Sequence, residues 1–250
     1  MKEPDYDSSY NRPRNVLPEN KVRGWRGAIS SMFGLAQTQH QSFIRSVMKD
    51  QRQTSVFELP LADLQAVVFD LETTGFNPEH DEILSVGAVL CVGSDVHAEH
   101  TFYSMVKPNR KIPANIVELT NITDEMVADA PDVREVLTNF LRFVQRRVLI
   151  AHGTGHDKQF LNVALWRMAK IRLSHRVLDT ILVARWLNPR LPSYDLDTVL
   201  DAYGIPIQDR HHALSDAIMT ARLWSEFMRE IASRRITTLG DLYAHLSQHV

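Results

Sequence analysis

Two carboxylates set two residues apart, Asp70 and Glu72, close the apolar run Ala66-Val67-Val68-Phe69. Four consecutive apolar residues of this kind read as a strand buried on both faces. Side chains alternate along a strand, so Asp70 and Glu72 leave from the same face. Like charges there repel each other and resist desolvation. A cation relieves both penalties, and two hard oxygen ligands suit Mg²⁺ or Mn²⁺ better than zinc. Thr73, Thr74 and Gly75 follow, with hydroxyls and backbone N–H groups beside such an ion. The competing reading is a pair of solvated acids at a strand end. Three more residues bear on the choice. Asp157 falls in the first turn of a helix, His211 in the polar run Gln208-Asp209-Arg210-His211-His212, and Asp216 on the helix after it. Taken singly, Asp157 complements the positive end of its helix, Asp216 is a solvated helix-face acid and His211 a loop residue. Taken together, they occupy the element ends where ligand sites form in open α/β sheets.

The elements that must position these groups follow from pattern. Ile83–Val92 and Thr101–Val106 read as strands joined by the polar Gly93-Ser94-Asp95, which favours antiparallel pairing. Between Ile112 and Glu125, Thr123 is an N-cap for a short helical turn and Asn121 a residue suited to left-handed backbone. Ala130-Pro131-Asp132 opens a helix to about Arg146 with Val133, Val136, Leu137, Phe140, Leu141 and Val144 on one face. Val148–His152 is a second apolar strand, turned by Gly153-Thr154-Gly155 into a helix from about His156. Arg176–Asp179 is a short strand. Helices are expected over Thr180–Leu187, Asp195–Tyr203, Ala213–Ala232 and Leu239–Leu246. This order predicts an α/β fold with a mixed sheet flanked by helices. Residues 1 to about 20 lack apolar periodicity and read as flexible. Trp25–Met48 reads as one or two amphipathic helices, giving a helical N-terminal extension over residues 1–60, a main domain over 61–235 and a C-terminal helix over 236–250.

Composition bounds the partners. At 250 residues, 44% hydrophobic and 23% charged, the chain can bury a real core. A net charge of −2 argues against extensive tracking along a nucleic-acid backbone, and leaves room for an enzyme that grips a chain end through metal ions. The single cysteine, Cys91, lies in an apolar strand, so no internal disulfide forms and a reduced, cytoplasmic setting is the default. No apolar run reaches the roughly 20 residues of a membrane span, and the polar N-terminus carries no secretory pattern. Gln53-Thr54-Ser55-Val56-Phe57 has a loose likeness to peptides that bind sliding clamps.

Three stretches carry a resemblance. Phe69-Asp70-Leu71-Glu72-Thr73-Thr74-Gly75, Ala151 to Leu161 with His152 and Asp157, and His211-His212-Ala213-Leu214-Ser215-Asp216-Ala217 stand in order. With Asp81 through Val89, Leu119 to Glu125 and Val177 through Asp197, they make the chain resemble the DEDDh, DnaQ-like 3′–5′ exonucleases, which include the proofreading epsilon subunit of bacterial DNA polymerase III. The resemblance spans about residues 62 to 230. It implies a ribonuclease H-like fold with a five-stranded sheet. It implies two divalent ions, Mg²⁺ or Mn²⁺, held by Asp70, Glu72, Asp157 and Asp216, with His211 as general base. Two such ions clamp the attacking and departing oxygens of a phosphodiester, and a histidine suits proton removal near neutrality. The backbone around Thr73 and Thr74 is expected to hold the terminal nucleotide, and Leu71, Leu119, Asn121, Ile122 and His152 to contact its base or sugar. The implied function is release of nucleoside monophosphates from a 3′ end, of single-stranded DNA before RNA, in replication or repair. An exoribonuclease acting on short RNA is the near alternative, and a non-catalytic adaptor docking through the N-terminal extension the distant one. A polymerase or sliding-clamp contact is a further implied partner. Because the sequence ends soon after the helix of Asp216, a free-standing protein is expected rather than a polymerase domain. One departure stands out: Gly153, Thr154 and His156 replace the Asn, small residue and Phe often found in the second motif. His156 is read as a packing or capping residue, and His211 rather than His212 as the active histidine.

Overall fold

Alternation along one strand divides the core. In the computed structural model, which describes residues 57–248, strand β1 (Gln65–Thr73) sends Ala66 and Val68 to one side of the sheet and Val67, Phe69 and Leu71 to the other. Both sides are covered, which is why the run is apolar until Asp70. β2 (Ile83–Val92) and β3 (Asp95–Met105) continue from β1 as an antiparallel meander, while β4 (Val148–Ala151) and β5 (Val177–Asp179) add in parallel on its other side. The sheet order is β3-β2-β1-β4-β5, the expected mixed five-stranded sheet.

Helices cover each face. α1 (Ala114–Thr120), α2 (Asp124–Val127) and α3 (Val133–Val144) lie between β3 and β4, and α4 (Gly155–Ala169) between β4 and β5. After β5 come α5 (Thr180–Leu187), α6 (Leu196–Ala202), α7 (Ala213–Ser233) and α8 (Leu239–Ser247). α3 and α4 bury Val136, Leu137, Phe140, Phe160, Leu161 and Leu165 against the Phe69 side. α5 to α8 bury Val183, Val199, Trp224, Phe227 and Leu242 against the Val68 side. With about 1.5–3 kcal/mol for each large apolar side chain buried, these two layers hold the sheet and leave its acids free of structural duty.

Three differences from the expected elements have simple causes. β1 runs on through Glu72 and Thr73, which pair with Ser85 and Ile83 across a register shift. β3 begins at Asp95 rather than Thr101, because its first half is an exposed outer strand and shows no apolar alternation. α1 was absent from the expected elements: it is one short helix behind Pro113, closed by Asn121 in the left-handed conformation (φ 57°). Thr123 does cap α2, accepting the Met126 N–H.

The helical stretch expected over 25–48, the flexible stretch over 1–20 and residues 53–56 of the clamp-like peptide lie outside the described residues. The last residue of that peptide, Phe57, has its ring 3.8 Å from the Arg176 guanidinium and edge-on to Tyr243, and its carbonyl accepts the Gly240 N–H at 2.9 Å. α8 contributes Leu239, Leu242 and Leu246 to the same core as the strands. Among the described residues, no helix is long and apolar enough to cross a membrane.

Candidate active site

Asp70 and Glu72 share the face of β1 that carries Ala66 and Val68, which is the face covered by α7. What brings α7 close is a missing side chain. Gly87 pairs with Asp70 across the β1–β2 ladder, and a Cβ on it would lie 2.2 Å from the backbone of Ala213 and Leu214. Any larger residue there would push the first turn of α7 off the sheet. That turn carries Asp216, whose residue is 3% exposed. Glu72, His211 and Asp216 consequently bring ligating atoms within 4.8 Å of one another.

Asp157 arrives from the neighbouring βα turn. Gly153 adopts φ 78°, a conformation open to glycine and tolerated by asparagine, which accounts for the departure from the family pattern at this position. The Asp179 carboxylate pins the turn, accepting the Gly153 N–H at 3.0 Å, the Thr154 N–H at 2.9 Å and the Thr154 hydroxyl at 3.1 Å, while capping α5 through the Ile181 N–H. Asp157 follows in the first turn of α4 and is 4% exposed.

The four acids are electrostatically one group. Burial, then Asp157, Glu72 and Asp216, raise Asp70 well above the ordinary carboxylate range. Burial, then Asp216 and Asp157, push Glu72 up to about 8, with Arg210 opposing. Burial, assisted by Asp179, pushes Asp157 up to about 7 against hydrogen bonds from its own backbone and that of Leu71. One oxygen is left over: Asp216 Oδ1 is buried with no hydrogen-bond partner, whereas Oδ2 accepts the His211 N–H at 3.0 Å and pairs with Arg210. An orphaned carboxylate oxygen among mutually repelling acids is a donor set that hard divalent cations fit. Asp70, Glu72, Asp157 and Asp216 are the residues able to hold them.

The two histidines separate. His212 caps α7, stacks on Tyr103 at 4.7 Å and lies with Nδ1 at 3.4 Å from Ser215 N. His211, held at φ 62°, lines the cavity with Asp70, Glu72 and Asp216. This cavity, about 280 Å³, is also lined by Leu71, Thr73, Phe76, Leu119, His152 and His156. Of the expected substrate contacts, Leu71, Thr73, Leu119 and His152 are therefore at the site. The other three stand differently. Thr74 is 1% exposed, and its hydroxyl serves Asp81 and the Glu82 N–H. Ile122 is 5% exposed in a small core with Leu84 and Ile116, and Asn121 closes α1 without lining the cavity. His152 uses both ring nitrogens internally, on the Thr180 hydroxyl at 2.8 Å and the Tyr194 carbonyl at 2.9 Å, so it offers a substrate only its ring carbons. His156 packs on Phe160 at 4.6 Å and bonds Thr73 Oγ1 at 3.2 Å, in keeping with its packing role.

Of the cavity residues that were not anticipated, two stand out. Phe76 is 80% exposed directly after Gly75, edge-on to His156. Its signal was a bulky aromatic next to a turn, where nothing in the sequence explains burial. Arg210 pairs with Asp216 and Asp197, and only its place beside His211 hinted at it.

Comparison with known proteins adds the following. The family model described as an exonuclease matches residues 67–224. The chain is 33% identical over 183 residues to the PolC-type DNA polymerase III of Bacillus subtilis, covering 73% of this chain and 13% of that protein. It is 34% identical over 200 residues to a DNA polymerase III subunit epsilon-like protein of Rhodobacter capsulatus, covering 79% of this chain and 28% of that protein. The chain thus spans a small part of the length of these relatives. Its fold matches the nuclease domain of 3′hExo, a DEDDh family member bound to rAMP, with a TM-score of 0.57 at 20% identity over 67% of this chain and 92% of that one.

Proposed function

The chain belongs to the exonuclease family, and from that premise we propose that it hydrolyses phosphodiester bonds stepwise from the 3′ end of single-stranded DNA, releasing nucleoside monophosphates. The observation that carries this reading is the gathering of Asp70, Glu72, Asp216 and His211 at one hollow, with the buried Asp157 close enough to raise Asp70. A pair of divalent cations held by the four acids, Mg²⁺ or Mn²⁺, would supply Lewis-acid activation of water and neutralise charge on the phosphate. His211 faces Glu72 and Asp216 and takes the proton of the attacking water as general base. The Asp216 carboxylate is fixed by the His211 N–H at 3.0 Å, so base and ligand are registered to each other through the backbone. Phe76 and Leu119, 80% and 40% exposed, flank the acids with apolar surface fit to stack on an unpaired base. Thr73, whose hydroxyl donates to the Gly75 carbonyl at 2.7 Å, keeps the motif's turn closed beneath that surface. The polymerase III relatives support DNA as substrate and the polymerase as partner; the rAMP-bound neighbour keeps RNA as the competing arm of the test.

The test is digestion of 5′-labelled single-stranded DNA, duplex DNA and RNA of one sequence with Mg²⁺, Mn²⁺ or chelator. A ladder that shortens from the 3′ end with divalent metal, fastest on single-stranded DNA, is expected. Label released first as a mononucleotide would reverse the polarity. Preference for RNA would move the substrate, and inertness with either metal would favour the adaptor reading.

A further inference from the structure

Arg210 sits where a cation is wanted, and it is one already. Its guanidinium joins two carboxylates, through Nη1 to Asp216 and through Nε to Asp197 in the first turn of α6. The Asp197 side chain is 53% exposed, so solvent screens that pair and leaves it the weaker of the two, whereas the Asp216 side chain is 5% exposed and its partner matters more. Arg210 also lines the cavity with Asp70, Glu72 and His211. Its charge reaches Asp70 and Glu72, where it opposes the upward push that burial and the other carboxylates exert.

Asp216 divides its oxygens. Oδ2 takes Arg210 and the His211 N–H, and the unpartnered Oδ1 is the one left for an ion. Arg210 can therefore stay in place when an ion enters, and a fixed positive charge beside a divalent cation weakens its binding. Orientation of Asp216 does not depend on the guanidinium alone, since the His211 N–H and the close seating of α7 on Gly87 hold it too. We infer that Arg210 is a built-in counter-cation of the acid cluster: it steadies the cluster before metal arrives and lowers the site's metal affinity, so that loading is favoured when a substrate phosphate brings in negative charge. This rests on the reading of the four acids as metal ligands.

The test measures Mn²⁺ binding to the full chain by calorimetry, with and without thymidine 5′-monophosphate, together with metal-free thermal stability. Arg210→Gln should bind Mn²⁺ about tenfold tighter and melt lower without metal, as expected for removing one partly screened charge. Arg210→Lys should keep wild-type affinity. The nucleotide should tighten Mn²⁺ binding more in the wild type than in Arg210→Gln. Asp197→Asn, an exposed change that leaves Arg210 less neutralised, should weaken Mn²⁺ binding, the opposite sign; it decides the matter if Arg210→Gln fails to fold. Unchanged or weaker Mn²⁺ binding in Arg210→Gln, or no weakening in Asp197→Asn, overturns the counter-cation role while the metal site stands. A wild-type chain that binds no Mn²⁺ overturns the metal site itself, and this inference with it.

Discussion

Among the described residues, two places gather three ligating side chains within 4.8 Å: Glu72, His211 and Asp216 at the end of the central strand, and His97, Glu99 and His100 on the outer strand β3. The donor count is the same and the energetics are opposite. Burial, Asp216 and Asp157 push Glu72 up to about 8. Glu99 is pulled down to about 2 by its own backbone N–H and by His97 and His100, each 3.1 Å away. The outer cluster forms where β3 bulges, between the pairs Val89–Thr101 and Leu90–His97, and its charged side chains blunt an open sheet edge. Its charges are satisfied by their neighbours and by water. The central cluster repels itself in a buried hollow and leaves one carboxylate oxygen, Asp216 Oδ1, without a partner, which is the mark of a site built for something that comes from outside.

The largest expected effect breaks the central cluster at its middle. Asp70→Asn or Asp216→Asn should reduce metal-dependent nucleotide release to background in the labelled-DNA assay while the fold is kept. At pH 8 without metal, Asp70→Asn should melt a few degrees higher than the wild type, since about 1 kcal/mol moves Tm by about 2–4 °C in a chain of this size. An unchanged or lower Tm would mean that the acids do not repel. His211→Ala should cost about 10²–10⁴-fold in turnover with Mn²⁺ binding largely retained, because it removes a proton acceptor and no carboxylate. Phe76→Ala should raise KM for single-stranded DNA about tenfold with kcat nearly kept, given about 1–3 kcal/mol for each stacked base. A fall in kcat alone would place Phe76 in the chemistry instead.

Titration reads the same contrast more gently. Glu72 and Asp157 keep their protons to about pH 8 and about pH 7 in the folded chain, against about 4 when unfolded. The native state thus binds more protons than the unfolded state through this window, and its metal-free stability falls as pH rises from about 4 to 8. Saturating Mg²⁺ should flatten the slope, because the cation displaces the protons that these oxygens otherwise hold in the folded chain. Thermal scans across that range with chelator and with Mg²⁺ measure both slopes. A metal-free Tm that climbed with pH would contradict the raised acids.

How much of this was legible in the sequence follows from what each residue answers to. β1, β4 and the face of α3 were readable because burial on a fixed period leaves an apolar pattern, and Asp70, Glu72, Asp157, His211 and Asp216 because their motifs are local. Phe76 and Arg210 were not, since an exposed phenylalanine and a paired arginine acquire meaning only from neighbours distant in sequence. Thr74 and Ile122 do not line the hollow: the Thr74 N–H donates to the Glu82 carbonyl and its hydroxyl bonds Asp81 and the Glu82 N–H, while Ile122 packs with Leu84 and Ile116, and no local sequence pattern announces such partners. α1 was hidden because seven residues behind a proline show too few turns for a period to register.

The smallest expected effect is the sharpest check on the two clusters. Glu99→Gln removes the same charge as Glu72→Gln and changes the same atoms, so the two substitutions differ only in surroundings. At the outer strand both the carboxylate and its histidines stay accessible to water, which replaces whatever the amide fails to do. Metal-free Tm at pH 8 and the nuclease rate should both remain at wild-type values. Glu72→Gln, buried among Asp70, Asp157 and Asp216, should raise that Tm and extinguish the rate. If Glu99→Gln raised the Tm as much, proximity of ligating atoms rather than burial would govern both clusters, and the claim that the central acids are held apart from their solvent for a metal's sake would lose its physical basis.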